Sequence, residues 1–114
     1  MSARVLIDAN VLYPTVLREI VLGVAAAGYF TPLWSTRILE EWARAAARRD
    51  PAQEPVARGE IALLRARWPG AEVAVRPETE ARLALPDPDD VHVLAAASDG
   101  GAVELLTMNL SDFP

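Results

Sequence analysis

The chain has 114 residues and 12.3 kDa, room for a single domain spanning 1–114, and its 52% hydrophobic and 24% charged residues describe a globular rather than a disordered protein. It has no cysteine, and all eleven basic residues are arginine, so a disulfide framework, a thiolate zinc site, a cysteine nucleophile, a Schiff-base lysine and a Walker-type phosphate lysine are excluded. The formal charge of −5 argues against nucleic-acid binding by bulk charge alone, and with neither a signal-like opening nor an apolar run near ~20 residues, the expectation is a cytoplasmic protein with no membrane role.

The first segment, Arg4-Val5-Leu6-Ile7-Asp8, is a continuous apolar run ending in an acid, the pattern of a strand buried on both faces. Pro14 opens a helix in which Leu17, Ile20, Val21, Val24 and Ala25 recur at helical spacing until Gly28. Tyr29 to Trp34 is a candidate second strand, with Pro32 as its weak point. Ser35 or Thr36 caps the next helix, which carries Ile38, Leu39, Trp42, Ala43 and Ala46 on one face and ends near Arg49. After the loop at Asp50-Pro51-Ala52, a helix is predicted over Val56 to Trp68, stopped by Pro69-Gly70. Glu72 to Val75 alternates like a third strand, and Arg76 to Leu85 has no clear pattern. Asp87-Pro88 reads as N-cap and first residue of a helix running to Gly100-Gly101, and Val103 to Thr107 as a fourth strand. The alternation predicts an α/β fold, a three-layer α/β/α sandwich around a mostly parallel twisted sheet. Many folds of this type carry one more strand and helix, so the chain reads as a C-terminally shortened version.

Ligands of open parallel sheets bind beyond the carboxyl ends of the strands. Asp8 ends the first strand there, Asn109 and Asp112 follow the fourth, Asp87, Asp89 and Asp90 open the helix before it, and Glu41 lies in the helix after Ser35. Each acid has a purely structural reading. Asp8 can cap a turn or the next helix, Asp87 an N-terminus, and Glu41 can pair with Arg37 or Arg44. Asp90 suits a helix N-terminus, and Asp112 a loop. Taken together they conflict: two unit charges ~4 Å apart repel by about 4 kcal/mol at an effective dielectric near 20. Several carboxylates in one cleft raise one another's pKa or recruit a cation, and oxygen-only ligands favour Mg²⁺ or Mn²⁺ over zinc.

Three stretches together resemble the PIN-domain family of nucleases, which includes toxins of some bacterial toxin–antitoxin pairs. They are Val5-Leu6-Ile7-Asp8-Ala9-Asn10-Val11-Leu12, then Ser35-Thr36-Arg37-Ile38-Leu39-Glu40-Glu41, then Leu85 to Ala97 with Thr107-Met108-Asn109-Leu110-Ser111-Asp112-Phe113. The resemblance implies Asp8, Glu41, Asp90 and Asp112 as the four catalytic and metal-binding acids. Glu40 competes for the second place and Asp87 for the third, and Asn10, Ser35, Asp87 and Asn109 are expected to support the set. It implies Mg²⁺- or Mn²⁺-dependent hydrolysis of RNA, with an antitoxin protein as a candidate partner. A catalytically inactive module of the same fold that binds RNA or a protein is the alternative. A phosphatase using Asp8 as nucleophile is a third reading, opposed by Asn10 at the second position of its usual Asp-x-Asp.

An acidic RNA-binding protein needs local positive charge. Arg37, Arg44 and Arg48 fall near one face of the Glu41 helix, and arginine forks match phosphate geometry, although a solvated face with internal ion pairs explains most such arginines better. Arg49, Arg65 and Arg67 are further candidates. Trp34, Trp42 and Trp68 are spaced as core or partner-facing residues rather than base-stacking ones. His92, two residues from Asp90 on a helix, points away from it and reads as a surface or packing residue. Val16, Leu17, Ile20, Val21 and Val24 exceed what a small core can bury, and an exposed remainder would suit a homodimer or antitoxin interface.

Overall fold

The computed structural model describes residues 3–82, 91–102 and 104–107. Four parallel strands form one sheet in the order β3-β2-β1-β4, with β1 at Ala3–Ile7, β2 at Phe30–Ser35, β3 at Glu72–Val73 and β4 at Glu104–Leu106. The helices are α1 (Ala9–Leu12), α2 (Thr15–Ala26), α3 (Thr36–Arg49), α4 (Gln53–Arg67), α5 (Pro77–Arg82) and α6 (Val91–Asp99). The chain steps from β1 to β2 to β3 in one direction, then back across the sheet to β4. By the right-handed rule for parallel crossovers, this order puts α1 to α4 on one face and α5 and α6 on the other. The packing of α6 on β1 and β2 agrees with this, and the fold is the expected α/β/α sandwich.

Central β1 has neighbours on both edges and both faces, and its Val5, Leu6 and Ile7 are all buried, as an unbroken apolar run requires. Pro32 sits inside β2 without breaking the ladder. Trp34 donates its N–H to Ala71 O at 3.0 Å, on the β3 side. Pro32, two residues earlier, would point its missing donor the same way, but β3 pairs only with Trp34 and Ser35. The proline therefore lies where β2 has no neighbour on that side. β3 is shorter than the predicted Glu72–Val75 for a related reason: its partner turns into α3 directly after Ser35, and no strand remains to pair with Ala74 and Val75.

α3 matches its predicted span. Ser35 Oγ accepts from Ile38 N at 3.1 Å, and Ile38, Leu39, Trp42, Ala43 and Ala46 are its buried stripe. α4 begins three residues before the predicted Val56. Pro55 is the third helical residue, where no intrahelical partner awaits its N–H, so it does not mark the start. A separate short helix, α1, precedes Pro14, which takes the N-cap position of α2. α5 lies in the stretch without a sequence pattern. It is tied from outside by Asp99 at the end of α6, which accepts from Arg76 N at 2.7 Å and from Thr79 Oγ1 at 2.8 Å. Gly28 and Gly101, with φ of 94° and 66°, end α2 and α6 in the left-handed conformation that glycine adopts without strain.

Candidate active site

Asp8 is the first residue beyond β1. Its N–H donates to Leu106 O at 3.0 Å, which carries the β1–β4 pairing one step further and brings Asp8 level with Thr107. The residue is only 6% exposed. Its Oδ1 accepts from Ala9 N at 2.7 Å, and its Oδ2 accepts from Thr107 Oγ1 at 2.9 Å. Thr107 Oγ1 in turn accepts from Asn10 Nδ2 at 3.2 Å. Asp8 thus caps α1, as its structural reading supposed, and still presents a carboxylate at the carboxyl edge of the sheet. Burial pushes its carboxyl above the usual aspartate range. The bonds from Thr107 and Ala9 pull it back, Glu41 pushes it up by charge repulsion, and His92 opposes that.

Glu41 stands on the second turn of α3, its side chain 38% exposed, with Oε1 2.9 Å from His92 Nε2. Glu40 faces another way. Arg58 of α4 holds it with two bonds of 2.8 and 3.0 Å and Arg44 lies 3.5 Å away, which keeps its carboxyl below the usual glutamate range. Of the two candidates for the second acid, Glu41 is the one whose charge reaches Asp8. Ser35, expected as a supporting residue, is the buried cap of α3 and so sets where that helix, and Glu41 on it, begins.

His92, which the sequence reads as a surface or packing residue, is buried, as the packing alternative has it. It is 2% exposed, and it meets Glu41 across the carboxyl edge of the sheet, α6 covering one face and α3 the other. The contact is at ion-pair distance but off the line of the ring N–H, so among the described residues neither ring nitrogen has an aligned hydrogen bond. Thr107 and His92 are the site residues that sequence reasoning left out. The parallel register, pairing Ile7 with Leu106, is the signal for Thr107. For His92 the local pattern carries no signal, because Glu41 lies on a distant helix.

Asp87, Asp89, Asp90, Asn109 and Asp112 lie outside the described residues. Among the described residues no group of three or more His, Cys, Asp or Glu side chains converges closely enough to hold a metal ion. Arg37 and Arg44 are exposed and, with Thr36, Glu40 and Glu41, line a groove of about 590 Å³. Arg48 is exposed further down α3, outside that lining. Arg65 is bound to Glu72 at 2.8 and 3.1 Å, which turns its charge to fastening α4 to β3. Trp34 and Trp42 are buried in the core, and Trp68 is half-buried under Arg67. On α2, Val16, Ile20 and Val24 are 70%, 59% and 42% exposed, the apolar remainder that the sequence anticipated. No helix among the described residues is long and apolar enough to cross a membrane.

A doubly covered parallel sheet with a buried carboxylate beyond its central strand and a second acid in its field defines an α/β domain with an acidic site at the strand ends. The sequence matches the PIN domain family over residues 4–111, and the chain belongs to that family, whose members are generally nucleases and typically use divalent metal ions. No curated protein and no solved structure matches it.

Proposed function

We propose that this domain is a metal-dependent endoribonuclease that hydrolyses RNA phosphodiester bonds with Mg²⁺ or Mn²⁺, and that it serves as the toxin of a bacterial toxin–antitoxin pair. The observation that carries the reading is the state of Asp8: a buried carboxylate at the carboxyl end of the central strand, with its pKa raised by burial and by the neighbouring acid. A dication relieves both costs.

The donors fit such an ion. Among the described residues each Asp8 oxygen accepts one hydrogen bond, and carboxylate oxygens are what a hard dication takes. Asp8 and Glu41 would hold it, with Asp90 and Asp112 completing the set by their place in the motif. When bound, the ion supplies Lewis-acid polarisation of a phosphoryl oxygen and a lowered pKa for water. Ala9 N and Thr107 hold the Asp8 carboxylate in one orientation. Glu41 orients the attacking water and accepts its proton as the new phosphorus–oxygen bond forms and the bond to the leaving sugar oxygen breaks. Arg37 and Arg44 flank Glu41 on the groove, where their forks bind adjoining phosphates despite the acidic net charge. The exposed stripe of α2 would take the antitoxin or a second copy of the chain. This reading takes the protein to be cytoplasmic.

The test is cleavage of single-stranded RNA. Mg²⁺ or Mn²⁺ is expected to support it, and chelator or Asp8→Asn to abolish it. Cleavage that persists in excess chelator overturns the proposal.

A further inference from the structure

Packing alone does not account for His92. It is 2% exposed, and among the described residues neither ring nitrogen has an aligned hydrogen bond. Burying an imidazole in that condition costs free energy that packing alone recovers better with a leucine or phenylalanine. Among the described residues the Glu41 carboxylate stands within reach, with Oε1 2.9 Å from Nε2. Glu41 itself needs holding. Its side chain is 38% exposed, and an unrestrained glutamate at a groove wall samples several rotamers. Its neighbour Glu40 is pinned by Arg58, whereas the contact with His92 is what the structure offers Glu41.

We infer that His92 is a positioning residue: its Nε2–H fixes the Glu41 carboxylate beside Asp8, across the seam where α6 and α3 meet over the ends of the strands. The Nε2-protonated tautomer follows, since Nε2 is the ring nitrogen facing the carboxylate and needs a proton to serve it. The off-axis approach suits a catalytic hydrogen bond before substrate arrives, when such bonds are poorly aligned and tighten only in the loaded site. The role for Glu41 rests on the nuclease reading above, but the link between the two side chains does not.

Two measurements separate these. In metal-free protein, ¹⁵N NMR of the His92 ring is expected to show the Nε2-protonated tautomer, with a resonance that moves in Glu41→Gln and stays in Glu40→Gln. An Nδ1-protonated ring, or a resonance indifferent to Glu41→Gln, overturns the inference whatever the enzyme does. In RNA cleavage, His92→Leu is expected to lower kcat about tenfold with KM nearly unchanged, and His92→Gln, which keeps a donor near the Nε2 position, to recover most of the loss. The double variant Glu41→Gln/His92→Leu is expected to be no slower than Glu41→Gln alone. Equal rates for wild type and His92→Leu, or no recovery in a folded His92→Gln, overturn the inference. A wild-type protein that cleaves no RNA with either dication, while the ring resonance still answers to Glu41→Gln, overturns the nuclease reading and leaves the His92–Glu41 link standing.

Discussion

Thr107 Oγ1 donates to Asp8 Oδ2 at 2.9 Å, joining residues 99 apart in sequence at the ends of two adjacent parallel strands. The same hydroxyl accepts from Asn10 at 3.2 Å, and its own bond to Asp8 lowers the Asp8 pKa, as a donor that favours the ionised form does. Thr107→Val keeps the shape and removes the bond. It is expected to push the Asp8 carboxyl further up and, as a hydrogen bond to a charged group is worth about 1.5–3 kcal/mol, to lower stability near neutral pH by that order. Thr107→Ser is expected to lose much less. Urea denaturation of the three proteins measures both.

Asp8 titrates above its ordinary value of 3.8, chiefly because it is buried. A carboxyl raised in the folded state favours folding in its protonated form. That contribution is complete below the unfolded pKa and is lost as pH rises through the folded one. Without metal at about pH 7, ionised Asp8 therefore weighs against the fold. Asp8→Asn is expected to melt at the same or a higher temperature than wild type, with the difference closing as the pH is lowered towards the ordinary value. Dication at a hundred times its Kd would add about 2.7 kcal/mol to wild type and much less to Asp8→Asn. Melting curves with and without Mn²⁺ give both comparisons. A clear loss of stability in metal-free Asp8→Asn would show that capping α1 is the larger role of Asp8.

Arg18 is a buried arginine. It donates to Leu12 O at 2.7 Å and Tyr13 O at 3.1 Å, which are carbonyls left open at the end of α1. It pairs with Glu60 at 2.7 Å and stacks on Trp42 with its guanidinium carbon 4.5 Å from the ring centre. Arg18→Met keeps most of the apolar stem but leaves the carbonyls without that donor. A loss of about 1–3 kcal/mol is expected by chemical denaturation. Glu60 is about half exposed and can be rehydrated, so Glu60→Gln should cost less.

Gly100 marks a close approach rather than a turn. A Cβ there would lie 2.7 Å from Val73 Cγ2 and 3.0 Å from Ala96 O. Gly100→Ala is expected to destabilise by about 1–3 kcal/mol through overpacking. Val73→Ala in the same chain should return part of that by removing the methyl in the way, so the two changes will not be additive. Melting temperatures of the two single variants and the double variant decide it.

Elements whose causes are local are legible in the sequence. α3 is the clearest: a serine cap, a five-residue apolar stripe and arginines in the last turn all lie within its own stretch, and its boundaries agree with the prediction. The buried central strand was equally plain from Val5, Leu6 and Ile7. α5 was not, because Asp99 anchors its start from 23 residues away. β3 was overextended, since the strand's length depends on where β2 stops.

The acids divide in the same way. The strand and helix pattern predicts the α/β domain, and the resemblance to the PIN-domain family implies a nuclease with Asp8 and Glu41 among its acids; a strand ending in an acid and a helix register are short-range facts. Which partners those acids meet depended on contacts between distant segments. Arg58 occupies Glu40, Thr107 orients Asp8, and a buried His92 reaches Glu41, each across a gap that no window of sequence spans. Such pairings arise only when strand order and helix packing bring the segments together, and that is why the tertiary structure, and not the local pattern, decided them.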